Sequence, residues 1–242
     1  MKSKDLQSLT WDEAKSCINS NSVIVIPLGA QSKEHGLHLP LNTDWLMAEE
    51  LKKLIKSRVS VVFAPTINYG YYPAMVEYPG TVSLGYETMM GMISDICHGF
   101  NRFGVRKFYI LNTGISTLKP LRSVSDTLLH ENIVLRFTDL NKILKPIKET
   151  IEEQDGGGHA DEIETSIMLV LKPDIVKMQK ATRDFTGAGE GPLSPNKDVA
   201  GVYSPTGAWG DPTFASKEKG RKLVDALVTG ITSEIDELTK TI

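Results

Sequence analysis

The stretch Lys33-Glu34-His35-Gly36-Leu37-His38-Leu39-Pro40-Leu41-Asn42-Thr43-Asp44 concentrates two histidines, a glutamate, an aspartate and a lysine in one short segment. Imidazole and carboxylate together are the ligands of a borderline divalent ion such as zinc. A lone histidine is ordinarily structural, but several metal-competent groups in one loop favour metal binding. A second stretch of this kind is His159-Ala160-Asp161-Glu162-Ile163-Glu164, which follows Gly156-Gly157-Gly158. Asp161 and Glu164 are three apart and share one face of a helix. The plain alternative is a solvated acidic first turn favoured by the helix dipole. Glu164 weakens it by falling inside the apolar pattern. Two further loops carry weaker signals. Asn112-Thr113-Gly114-Ile115-Ser116-Thr117 offers poor metal ligands and suits substrate contact or turn geometry. Ser204 to Pro212 reads first as a rigid turn, with a closing loop that stacks Trp209 on a planar ligand as the alternative. Lys33 reads either as solvated or as a cation neutralising the clustered carboxylates.

These side chains act together only if the fold gathers their loops. Residues 23–27 form a short, continuously apolar run, the pattern of a strand covered on both faces. The first histidine-rich loop leaves the end of that strand, where ligands bind in open α/β sheets. Further strands are predicted at residues 59–64, 107–111 and 133–138, with a short one after the turn at 78–81. Helices are predicted at 43–55, 87–103, 118–130, 160–171 and 215–238, with Trp45, Leu46, Ala48, Leu51 and Leu54 as the apolar stripe of the first. Thr10 and Glu13 form a capping box for a short helix. The Gly/Pro-rich residues 182–212 are expected to be irregular and to serve function or an interface. Alternating strands and helices predict an α/β fold with a mostly parallel sheet. No linker or repeat interrupts it, so residues 1–242 read as one domain.

The 27 Lys and Arg against 30 Asp and Glu leave a net charge of −3, which gives nucleic acid no electrostatic reason to bind. No run reaches the length of a membrane span, and the polar residues 1–11 do not form a secretory signal. Cys17 and Cys97 are isolated in apolar stretches and read as reduced, buried thiols, which suits a cytoplasmic location.

Taken together, these motifs resemble the creatininase (creatinine amidohydrolase) family. Gly29 to Asp44 is similar to G-[SA]-x-E-Q-H-G-x-H-L-P-L-x-T-D, and Tyr78-Pro79-Gly80-Thr81-Val82-Ser83-Leu84 to F-P-G-T-x-S-L. His159 to Ser166 is similar to H-A-G-E-x-E-T-S, and Gly207 to Gly220 to the family's terminal G-x-x-G-D-P-x-x-A-[ST]-x-E-K-G. The likeness covers nearly the whole chain, in order. It implies a three-layer α/β/α sandwich, metal-dependent hydrolysis of the carbon–nitrogen bond of a small, often cyclic, amide, and a homo-oligomer, commonly a hexamer. It assigns His35, Asp44 and Glu164 as metal ligands, with Glu34 as a further acid, and His159 as the proton-transfer group.

The chain departs from the pattern in two places. Lys33 stands where the family has a glutamate, in a loop one residue longer, and Gly114 stands where a second loop has a histidine ligand. These changes imply one zinc per chain, with manganese or a second metal as alternatives. The implied mechanism is attack of a zinc-activated water on the amide carbon, with His159, or Glu162 behind it, passing a proton to the leaving nitrogen. Tyr71, Tyr72, Gly114, Ser116 and Trp209 are expected to line the substrate site. The rival expectation is a small-molecule-binding homologue without turnover that has lost part of the metal site.

Overall fold

The computed structural model describes residues 3–185 and 191–241. Its centre is a five-stranded, wholly parallel sheet of β1 (Lys4–Asp5), β2 (Val23–Leu28), β3 (Val62–Phe63), β4 (Lys107–Asn112) and β5 (Val134–Phe137), in the order β1-β3-β2-β4-β5. Side chains alternate across a strand. Val23 and Val25 therefore enter one buried cluster, with Phe63, Tyr109 and Leu111, while Ile24, Ile26 and Leu28 enter the other, with Phe108 and Ile110. The first cluster is covered by helices α2 (Thr43–Lys56), α5 (Leu140–Ile151), α6 (Glu162–Leu171) and α7 (Lys217–Lys240). The second is covered by α3 (Tyr86–Asn101) and α4 (Leu118–Leu129). The result is the expected three-layer α/β/α sandwich.

Strand order places the site. From β2 the chain crosses through α2 to β3 on one side. From β4 it crosses through α4 to β5 on the other. The carboxyl ends of β2 and β4, paired through Leu28 and Asn112, therefore flank the point where the sheet's winding reverses, and the crevice there is the natural binding position in an open sheet.

Several local expectations need correction. No strand follows the turn at Tyr78, and the strand predicted at 59–64 contracts to Val62–Phe63. The buried face of α2 carries Asp44, Met47, Ala48, Leu51 and Ile55, and Leu54 is exposed. Helix α5, which the sequence reading lacks, is capped by Asp139 and lays Leu144, Ile143 and Ile147 on the first cluster despite Pro146 inside it. The short helix α1 (Trp11–Lys15) does carry the Thr10–Glu13 capping box. The stretch expected to be irregular contains a two-stranded parallel ribbon, β6 (Leu193–Ser194) with β7 (Val202–Tyr203), packed on Tyr78. Residues 186–190 of that stretch lie outside the described residues.

Candidate metal and active site

Asp44 is the second residue of α2 and is wholly buried. Its backbone is fixed from β4, because Thr113 Oγ1 donates to Asp44 O at 2.9 Å and to Leu28 O at 3.1 Å. Gly29 makes this approach possible, since a Cβ there would overlap the Asp44 carbonyl. The two oxygens of the Asp44 carboxylate have different partners. Oδ1 lies 2.9 Å from His35 Nε2, and Oδ2 accepts from Lys33 Nζ at 2.7 Å. Burial pushes the Asp44 carboxyl up, but the Lys33 ammonium and His35 hold it well below the usual aspartate range.

His35 is oriented from behind, with Nδ1 2.9 Å from the Lys33 carbonyl. A carbonyl can only accept, so Nδ1 carries the proton. In the neutral ring Nε2 then presents a lone pair to the Asp44 carboxylate, acceptor to acceptor. A proton or a cation must lie between them. Glu164 completes the set, with Oε1 3.7 Å from His35 Nε2. Among the described residues, His35, Asp44 and Glu164 are the group of candidate ligands whose donor atoms converge, all within 4.8 Å of one another. One imidazole nitrogen and two carboxylate oxygens suit a divalent ion, and the backbone-anchored Nδ1 gives the tautomer a ligand needs.

Glu164 sits in the first turn of α6, where Asp161 caps the helix by accepting from Ile163 N at 2.9 Å and Glu164 N at 3.0 Å. Ala160, just before the cap, has φ 47°. This left-handed backbone is costly for a residue with a Cβ and is held in place by the surrounding structure. Here the Ala160 N–H donates to Glu164 Oε2 at 2.7 Å. The turn thereby aims Glu164 inward and sets His159 beside His35, with ring centroids 5.2 Å apart.

His159 Nε2 meets Glu34 Oε2 at 3.0 Å. Burial favours the neutral imidazole, yet the Glu34 carboxylate outweighs it and raises His159 above its ordinary value. Burial likewise pushes Glu34 up, and the charge of His159, its hydrogen bond and the Gly36 N–H together bring Glu34 below its ordinary value. The two directions agree on a buried ion pair. Glu34 is thus committed to His159 and the Gly36 N–H, and lies outside the convergent ligand set. The sequence reading gives Glu34 as a further ligand; here it pairs with His159 and does not join the three converging side chains.

Glu162 also differs from its expected role. It is fully buried, one oxygen accepting from the N–H groups of Glu153 and Gln154 at 2.9 and 2.8 Å and the other held by Lys219. Its carboxylate anchors α7 to the start of α6, and its hydrogen bonds go to Glu153, Gln154 and Lys219 rather than to His159. His38 turns away from the ligands to Thr165 Oγ1 at 2.8 Å.

A cavity of about 450 Å³ opens on this cluster, with Lys33, Thr113, Ser116, His159, Glu164 and Trp209 among its lining residues. This is the size of a small-molecule site. Trp209 is tied to His159 through a backbone bridge in which Trp209 N donates to His159 O at 2.7 Å. Its ring meets Phe185 edge-on at 4.8 Å. The turn before it is fixed by Asp184, whose Oδ2 accepts from Ser204 Oγ and Thr206 Oγ1 at 2.7 and 2.6 Å. The 204–212 segment is therefore both a rigid turn and a wall of the cavity.

The other expected substrate residues are dispersed. Tyr71 packs edge-on to Tyr86 at 5.7 Å and borders a neighbouring, more open groove. Tyr72 is buried beneath Lys33, whose Nζ lies 5.3 Å from its ring centroid, and the Tyr72 hydroxyl has no hydrogen-bond partner among the described residues. Gly114 closes the β4 loop, its carbonyl accepting from Asn112 Nδ2 and Thr117 Oγ1 at 2.7 and 2.6 Å, and is not among the lining residues.

The model for the family described as "Creatininase: Creatinine amidohydrolase" matches residues 7–235. The chain belongs to the creatininase family. It is 27% identical to the creatinine amidohydrolase of Pseudomonas putida, over 98% of this chain and 97% of that protein. It is 25% identical to the 3-dehydro-scyllo-inosose hydrolase of Thermotoga maritima, over 92% of this chain and 79% of that protein. A crystal structure of creatininase superposes with a TM-score of 0.84 at 25% identity, covering 100% of both chains. Creatininase structures of the same similarity include a mutant of "Zn-Zn type" and a manganese form. The likeness supports a divalent metal in the family to which this creatininase-like hydrolase belongs.

Proposed function

We propose that the protein is a metal-dependent amidohydrolase that cleaves the carbon–nitrogen bond of a small amide, with His35, Asp44 and Glu164 holding the ion. The observation that carries this reading is the convergence of one imidazole nitrogen and two carboxylate oxygens, from His35, Asp44 and Glu164, within 4.8 Å of one another, with His35 Nε2 2.9 Å from Asp44 Oδ1. Zinc is the ion best suited to one imidazole and two carboxylates, and manganese suits the carboxylates. Bound there, such an ion supplies Lewis acidity and a water acidic enough to serve as nucleophile near neutral pH.

The chain's own residues do the rest. Glu34 raises His159 above its ordinary value and so favours the imidazolium, the form that can give a proton to the leaving nitrogen. Glu34 and the Trp209 bridge fix the ring's position. Thr113 and the Lys33 carbonyl hold Asp44 and His35 in register. The Trp209 wall and Ser116 give the cavity an aromatic side and a hydroxyl, which suits a planar, polar amide.

The test is to assay the zinc-loaded protein on cyclic amides, N-formyl compounds and short peptides, together with His35→Ala. The variant is expected to lose the metal and all turnover. A His35→Ala protein that keeps a full metal equivalent contradicts the ligand assignment. A metal-loaded wild type that binds panel members without cleaving them favours the binding-protein alternative.

A further inference from the structure

Asp44 is used on both sides. Oδ1 faces the position between His35 and Glu164, while Oδ2 accepts from Lys33 Nζ at 2.7 Å. A carboxylate shared in this way between two positive partners is what a bridging ligand does in a centre with two ions. Here the second partner is an ammonium. Lys33 is buried, and the charges of Asp44, Glu164 and Glu34 surround it. The Tyr72 ring covers one side of the ammonium at 5.3 Å, and the cavity lies on another. Among the described residues Asp44 is its one hydrogen-bond acceptor, which leaves N–H groups for an occupant of the cavity.

Resting on the hydrolase reading above, we propose that the Lys33 ammonium is the built-in second cation of this centre, taking beside Asp44 the place of a second divalent ion. Two consequences follow from Coulomb's law and donor geometry. The fixed charge repels a second metal while neutralising the carboxylate that such a metal would need. The second cationic position also offers directed N–H groups in place of an exchangeable ion, so it favours a substrate with a carbonyl or carboxylate oxygen at that point. Lys33 is thus a positioning residue for Asp44 and sets the metal count.

The test is the number of zinc ions per chain, measured by elemental analysis and native mass spectrometry after zinc loading and dialysis. Wild type, Lys33→Gln and Lys33→Glu are compared, with circular dichroism as the check on folding. Wild type is expected to hold one zinc, and so is Lys33→Gln, which removes the charge without supplying an anionic ligand. Lys33→Glu puts a carboxylate opposite Asp44 Oδ2 and, although Gly114 supplies no ligand, is expected to take up a second zinc at lower zinc concentration than wild type or Lys33→Gln. Two zincs in wild type overturn the proposal and leave the hydrolase reading intact, as does a folded Lys33→Glu that takes up a second zinc no more readily than Lys33→Gln. If Lys33→Glu does not fold, the wild-type count alone decides. No zinc in wild type overturns the hydrolase reading and this proposal with it.

Discussion

His38 shows how little separates a ligand from a structural residue in this loop. It lies three positions from His35 and carries the same ring, yet the backbone turn sends it to Thr165. Burial drives its value down from 6.5 to about 4. Because the folded value is the lower one, the unfolded chain binds the extra proton between those limits. Stability contributed by neutral His38 is therefore full above about 6.5 and is lost as pH falls towards about 4. The loss is on the order of 3 kcal/mol, since one pKa unit is about 1.4 kcal/mol. Denaturant unfolding at pH 4.5 and 7.5 should show a smaller pH effect in His38→Gln than in wild type, and equal effects would contradict the assignment. The residue types marked the two motifs as metal-competent, since few side chains bind metal, and the family resemblance picked out His35, Asp44 and Glu164 among them. They did not show that Glu34 turns to His159, or which alternative held for Lys33, because those outcomes depend on where the loops meet. The full commitment of Glu162 to Lys219 and two backbone N–H groups was equally hidden, since all of its partners lie outside its own motif.

At the scale of elements, the site depends on segments that contribute no ligand. The loop carrying Gly207 packs directly on Glu34, and Gly207 has φ 82°. A Cβ there is strained by the backbone and would overlap the Glu34 carboxylate. Gly207→Ala is expected to lower stability by about 1–3 kcal/mol and to push Glu34 off His159. Gly91→Ala is the control, because its Cβ would meet nothing within 4 Å on helix α3, and it should stabilise by about 0.5–1 kcal/mol. Thermal unfolding of both variants decides the matter, and a Gly207→Ala as benign as Gly91→Ala would show that the contact does not matter. The long, strongly periodic helices and the apolar strands β2 and β4 were legible because burial on both faces of a sheet leaves few residue choices. Helix α5 was not, because Pro146 interrupts its donor pattern while tertiary packing of Ile143, Leu144 and Ile147 still holds it. The ribbon of β6 and β7 is two residues per strand, too short to leave a periodic signal.

For the whole molecule, the parallel sheet and its reversal between β2 and β4 explain how residues 35, 44, 159 and 164 reach one point from distant parts of the chain. That architecture was legible from the alternation of elements, and the family resemblance supplied the layers. Assembly is the remaining property at this scale. The resemblance implies a homo-oligomer, with a hexamer as the expected form, and exposed Trp11, Phe103 and Leu129 supply apolar surface that an interface would cover. Light scattering at micromolar concentration should give a multiple of the 26.7 kDa chain mass, and a monomer would contradict the expectation. No helix among the described residues is long and apolar enough to cross a membrane.

The most direct measurement of the metal centre is an anomalous-difference map from crystals grown with zinc, collected on both sides of the zinc absorption edge. The expected result is one strong peak per chain between His35 Nε2, Asp44 Oδ1 and the Glu164 carboxylate, with Lys33 Nζ still on Asp44 Oδ2. A map with no peak among those three side chains, from crystals saturated with zinc, would contradict the metal centre and the hydrolysis built on it.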